Sequence, residues 1–230
     1  MTAVVERRGE RTHASSSGLE RVRRTGAVAA LLLAPWGFVV TNALYWWSTR
    51  DGGSDQTGAE ALALVASEPG LFRVLLLAGM IGCLLLVPAV VTAMGLAVRS
   101  WLVFVGGSLM IGGYLAYFGV LLTTFSTIAM AEHGGPLADF AAVIDASQQD
   151  PFTSWVFGLF VLGNLVGTLL FAIGLLRSRA IPGWAAVLIL LWPPLHVTGL
   201  VVGNELFEVT GAVLQAVGFA TIAVVVRRRI

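Results

Sequence analysis

Six long apolar stretches, at about 26–48, 71–98, 101–130, 154–176, 183–203 and 207–226, constrain this chain more than any other feature. Each reaches the roughly 20 residues that a helix needs to cross the hydrocarbon of a bilayer. Backbone groups in lipid find no water, so such segments must close their hydrogen bonds internally, as a helix does. Only 12% of the 230 residues are charged, about half the share in a soluble domain. The expected fold is therefore all-α, a polytopic transmembrane bundle of six helices over residues 25–230. Residues 1–24, rich in Arg, Ser and Glu, are expected to form a disordered basic cytoplasmic tail. The first apolar stretch has the basic flank of a signal peptide. Its run is too long for one, however, and no small-x-small cleavage site precedes Tyr45-Trp46-Trp47, so it reads as an anchor.

The sparse charges are sorted by side. With both termini placed in the cytoplasm, every Arg except Arg50 and Arg73 falls in an inner segment, and there is no Lys. Ten acidic residues, from Asp51 to Glu208, fall in the outer segments. Arg in short loops marks the cytoplasmic side, so the expected location is a multi-pass plasma-membrane protein with N- and C-termini cytoplasmic. Trp46, Trp47 and Trp155 mark the outer boundary and Trp101 and Trp184 the inner one, as interfacial indoles do.

Arg21, Arg99 and Arg177 recur at equal spacing. Gly79 matches Gly158, and Gly26 and Thr41 match Gly183 and Thr198, at related offsets. These offsets suggest three hairpin repeats in one orientation, against chance likeness among Gly- and Ala-rich helices. Two short amphipathic helices are expected on the outer face: residues 58–67, and a segment with Leu137, Phe140, Ala141 and Ile144 on one side. Gly163-x-x-x-Gly167, Ser108-x-x-x-Gly112 and Gly112-x-x-x-Ala116 supply small-residue packing faces. By its glycines, the third span is the expected centre of the bundle.

Any activity must use the few polar groups within the spans. Trp192-Pro193-Pro194-Leu195-His196 is the most unusual local sequence: two prolines remove helical donors and free carbonyls near Ile189 and Leu190, beside an imidazole. An ionisable group in hydrocarbon costs about 3 kcal/mol on insertion scales and needs a reason. His196 reads either as part of a ligand, ion or proton site opened by a broken helix, or as a neutral residue bonded to a neighbouring helix. Asn42, Thr124, Asn164, Gln215 and Glu205 fall at levels from which they could join His196 in an outward-facing polar pocket. Each also has a structural reading, as back-bonded hydroxyls or as amides that glue helices together. Glu205 and Glu208 are expected at the outer edge of the sixth span, close to water. Arg73 is expected to reach lipid headgroups or to pair with Glu68.

Other chemistry is missing. No HExxH, P-loop or GxSxG motif appears. The single Cys83 excludes an internal disulfide and a multi-cysteine metal site. His133 lies in an outer loop and His13 in the tail, so no facing pair of histidines is expected for a haem. No cofactor, metal ligand or catalytic residue is assigned, and nothing points to nucleic acid.

Between the fourth and fifth spans runs Leu175-Leu176-Arg177-Ser178-Arg179-Ala180-Ile181-Pro182-Gly183-Trp184. This turn, with the general layout, resembles a family of small bacterial six-helix integral membrane proteins. That resemblance implies the six-helix fold and carries no activity and no site residues. The functional expectation is thus an integral membrane protein that binds or moves a small ligand through an outward-facing polar pocket. The alternative is a structural or accessory subunit packed against a membrane-protein partner. A membrane enzyme or haem protein ranks third. The bilayer is the one expected partner in every case.

Overall fold

A computed structural model describes the backbone of residues 2–229 and the side chains of residues 18–229. No strand occurs among the described residues. The helices are α1 (Thr2–Thr49), α2 (Gly58–Ser67), α3 (Pro69–Met94), α4 (Trp101–Glu132), α5 (Leu137–Gln149), α6 (Pro151–Val161), α7 (Thr168–Ser178), α8 (Gly183–Leu190), α9 (Trp192–Val202) and α10 (Leu206–Arg229). A 3₁₀ turn, Gly95–Ala97, extends α3, and a π turn, Leu162–Gly167, joins α6 to α7. Six helical stretches are long and apolar enough to cross a membrane: Gly18–Thr49, Pro69–Ala97, Trp101–Glu132, Pro151–Ser178, Gly183–Val202 and Leu206–Arg229. The protein is a multi-pass membrane protein. Residues 18–24, assigned to the tail by their charge, continue α1 as exposed helix; Glu20 bonds Arg24 one turn on, the i,i+4 pairing that supports a polar helix end. Residues 2–17, expected to be disordered, form the first part of the α1 backbone, and their side chains lie outside the described ones.

The six spans form three hairpins. Arg99, Arg177 and Arg227–Arg229 lie at the ends that make one face of the bundle, where Arg229 Nη2 donates to Ala180 O at 3.1 Å. The opposite face carries α2, α5 and most of the acidic residues. Small residues bring the helices together, since lipid tails leave close packing as the main attraction. α1 meets α3 at Gly37 and Gly82, where an added Cβ on Gly37 would lie 2.6 Å from Ala78 O. Gly163 and Gly167 press on α4 at Gly113 and Met110, so this glycine pair is an intramolecular seam. The other two small-residue faces are unused: Gly112 meets nothing within 4 Å, and Ser108 and Gly112 are exposed. Nor is the third span the centre. Half of the apolar window of α10 is buried, against 33% for α4. The glycines of α4 serve only the flank that faces α3 and α7, and its other side meets lipid. The Gly79 and Gly158 expected to be equivalent also differ, since Gly79 abuts Thr41 while Gly158 faces open space.

On the acidic face, α2 starts with a capping box: Thr57 Oγ1 accepts from Glu60 N, and Glu60 Oε2 accepts from Thr57 N. It lays Leu62, Leu64 and Val65 on the bundle. α5 packs on α2, and Gly58 N donates to Asp145 Oδ1 at 2.6 Å. Only Ala141 of the expected α5 stripe is fully buried; Phe140 and Ile144 are half-buried and Leu137 is exposed. Arg73 pairs with Glu132 of α4 and not with Glu68, because α3 and α4 run antiparallel and bring those two helix ends together.

Candidate functional site

Two interruptions in the helices build the site. α8 and α9 meet at Leu191, as the two prolines require. Leu191 N still reaches Val187 O and Ile189 O, so the Ile189 carbonyl does not become the free acceptor expected there. The break turns Trp192 into the bundle, where it is 4% exposed, and His196 stacks on its indole at 5.2 Å between centroids. The second interruption is the π turn. Its glycines sit against α4, and the widened turn buries Asn164 to 1% exposure. π turns are rare and recur at functional positions. Asn164 Oδ1 accepts from Tyr114 Oη at 2.7 Å and from Trp192 Nε1 at 2.8 Å. One amide oxygen thereby ties the π turn to α4 and α9.

Above this junction lies a cavity of about 390 Å³. It runs from Asn164 to Asp55 and Glu205 in the loops of the acidic face. Asn42, Thr124, Asn164, His196 and Glu205 all line it, so five of the six residues singled out in the sequence converge. Gln215 does not line it. It is buried behind the cavity beside the Tyr114 hydroxyl, and its Nε2 has no partner among the described residues. Asn42 Nδ2 back-bonds to Phe38 O at 2.9 Å, which leaves its Oδ1 for the cavity. Thr41 Oγ1 is taken up by Gly37 O and Leu75 O across α1 and α3. Asn204 does not join the wall, since its Oδ1 caps α10 through Leu206 N.

Sequence reasoning missed Glu208. The expectation placed it at the water-facing edge, yet its side chain is 8% exposed and lines the cavity. The cause is local. Gly203 adopts φ 68°, a left-handed turn that favours glycine, and returns the chain at once into α10. Gly199 offers no side chain, so Glu208 Cγ packs where a Cβ would stand 3.1 Å away. Glu208 Oε2 then lies 3.1 Å from His196 Nδ1, off the line a ring hydrogen bond requires, since that nitrogen is buried without a hydrogen-bond partner. Glu205 lies within hydrogen-bonding reach of Glu208. Burial first, then the neighbouring Glu208 charge, push the Glu205 carboxyl up to about 7. Glu205 and Glu208, both expected at the water-facing edge, thus form a pair of carboxylates in the cavity wall.

The remaining wall is aromatic. Tyr117 stacks on Phe160 at 4.3 Å, Phe38 packs on Tyr114 at 4.7 Å, and Tyr45 stands near the mouth beside Asp55. No Arg lines the cavity. No group of three or more metal-ligating side chains suited to an ion occurs among the described residues. The chain matches no family model, no curated protein and no solved structure at a significant level.

Proposed function

We propose that this protein is a multi-pass plasma-membrane protein, with both termini cytoplasmic, that binds a small ligand in a pocket open to the outside. The orientation rests on the Arg distribution: Arg50 and Arg73 alone lie on the acidic side. The ligand reading rests on one observation, the cavity of about 390 Å³ onto which Asn42, Thr124, Asn164, His196 and Glu205 converge from separate elements. Small-molecule sites have this size and this make-up, apolar and aromatic walls with a few convergent polar groups. Such convergence is costly in lipid unless the groups are paired or used.

A thermal-melt screen of purified protein in detergent tests this, with cationic, neutral and anionic small molecules tried in turn. Binding to the folded state raises the melting temperature by mass action. A shift lost in His196→Ala and in the pocket-filling Thr124→Phe supports the reading. No shift across all classes, with a stoichiometric membrane partner in the preparation, would support an accessory subunit in its place.

A further inference from the structure

We infer that the pocket selects a small organic cation, a protonated or quaternary amine, held between the carboxylates at the mouth and the aromatic rings below them. This rests on the ligand-binding reading above and names its chemical class.

Charge is the first ground. Asp55, Glu205 and Glu208 line one cavity, and His196 is the sole basic side chain there. In a low-dielectric wall, uncompensated carboxylates are costly and draw a counter-charge. Glu208 is the second and independent ground. Its side chain is 92% buried, from 8% exposure. It faces the cavity, and its polar neighbours are another carboxylate, Glu205, and the off-axis His196 Nδ1 at 3.1 Å. Within the protein the His196 imidazole is the one basic group beside it, set against three carboxylates in the same cavity, and a bound cation can supply the remaining counter-charge.

The walls decide between an organic and an inorganic cation. A bare metal ion needs six or so oxygen ligands gathered in a shell, and no group of three or more His, Cys, Asp or Glu side chains is gathered closely enough to hold one among the described residues. Ring faces suit a spread, weakly hydrated charge, and Tyr117, Phe160 and Trp192 present rings from α4, α6 and α9. Asn42 Oδ1 adds an acceptor for a hydroxyl or N–H on the ligand.

Every titratable group that faces the carboxylate pair enters the pH behaviour: His196 from α9, Tyr45 from α1, Tyr117 from α4 and Asp55 from the loop before α2. No titratable residue of α6 or the π turn faces it. Because the cation and the Glu205 proton compete, affinity rises with pH up to about pH 7 and levels off above it. The limit is about tenfold per pH unit for one exchanged proton.

The test is binding of choline, tetraethylammonium, sodium and the neutral choline isostere 3,3-dimethylbutanol to the full-length protein in detergent, by melting shift and calorimetry at about pH 6 and about pH 8. The organic cations are expected to bind at least several-fold better at the higher pH, and the neutral isostere and sodium at least tenfold more weakly than choline. Glu208→Gln should reduce choline affinity tenfold or more. If Glu208→Gln does not fold, Asp55→Asn at the exposed mouth should still weaken binding a few-fold. Equal binding of the neutral isostere overturns the cation inference and leaves the pocket reading standing. Sodium binding alone, with no organic cation bound, also overturns it. Failure of every ligand class, here and in the wider screen, removes both.

Discussion

Asn164→Leu breaks the junction beneath the cavity while keeping the branched four-atom side-chain skeleton. The amide oxygen accepts two bonds, and both donors are buried: Tyr114 is 3% exposed and Trp192 is 4% exposed. Interhelical hydrogen bonds in membranes average about 0.6 kcal/mol and reach about 1.7. Two lost together give about 1–3 kcal/mol, below the full cost of two orphaned donors in a water-soluble core. Gln215, beside the Tyr114 hydroxyl, offers a substitute partner and draws the value toward the lower end. A double-mutant cycle with Tyr114→Phe isolates one bond, with an expected coupling of about 0.6–1.7 kcal/mol. The assay is reversible unfolding in mixed micelles titrated with dodecyl sulfate. Thr221→Val serves as the control. Its hydroxyl only back-bonds to Val217 O on an exposed surface, so its loss should stay within about 0.5 kcal/mol. A cycle that closes to within about 0.3 kcal/mol, with all variants folded, would refute the junction.

A paired substitution tests the α4 seam. Gly113→Ala puts a Cβ 2.6 Å from Gly163 Cα, a backbone contact with no side chain to yield, and should destabilise by about 1–3 kcal/mol in the same titration. Gly112→Ala, one residue along and facing open space, should be neutral or slightly stabilising. Glu205 sets a pH dependence. Its carboxyl rises from 4.5 unfolded to about 7 folded, so between those values the native state holds a proton that the unfolded chain has released. Its contribution is therefore full below 4.5 and is lost as pH rises toward about 7. Glu205→Gln should flatten stability across that window, and an unchanged slope would show that other groups cause it. Arg73→Gln removes an ion pair whose side chains are 49% and 37% exposed and should cost under about 1 kcal/mol.

The spans and their number were legible because lipid imposes length and hydropathy directly on sequence. Asn42, Thr124, Asn164 and His196 stood out as polar breaks in long apolar runs, and all four line the cavity, whereas Gln215, chosen on the same ground, does not. What sequence could not give was rotation about each helix axis. Every face of these helices is apolar: Leu77, Ile81 and Leu84 of α3 are over half exposed, while Leu75, Leu76 and Leu86 are buried. The pattern of hydrophobicity that orients a soluble helix is absent here, so Gly112 could not be told from Gly113. Glu208 was misplaced for a related reason. Counting residues put it near water, but its burial depends on the tight Gly203 turn and on the space left by Gly199. Glycine at those two positions was the available signal. The π turn had no comparable signature beyond Gly163 and Gly167.

Water access to Thr124 from outside the cell tests the account most directly. In a Cys83→Ala background, Thr124→Cys, Ser108→Cys and the loop control Asp51→Cys would be exposed to a membrane-impermeant maleimide on intact cells. Thr124 lines the cavity, whereas Ser108 lies on the exposed flank of α4 within the lipid-facing apolar surface. Labelling is expected at Thr124→Cys and Asp51→Cys without permeabilisation, and none at Ser108→Cys. Labelling of Asp51→Cys only after permeabilisation would contradict the orientation, and no labelling of Thr124→Cys from either side would contradict an open pocket.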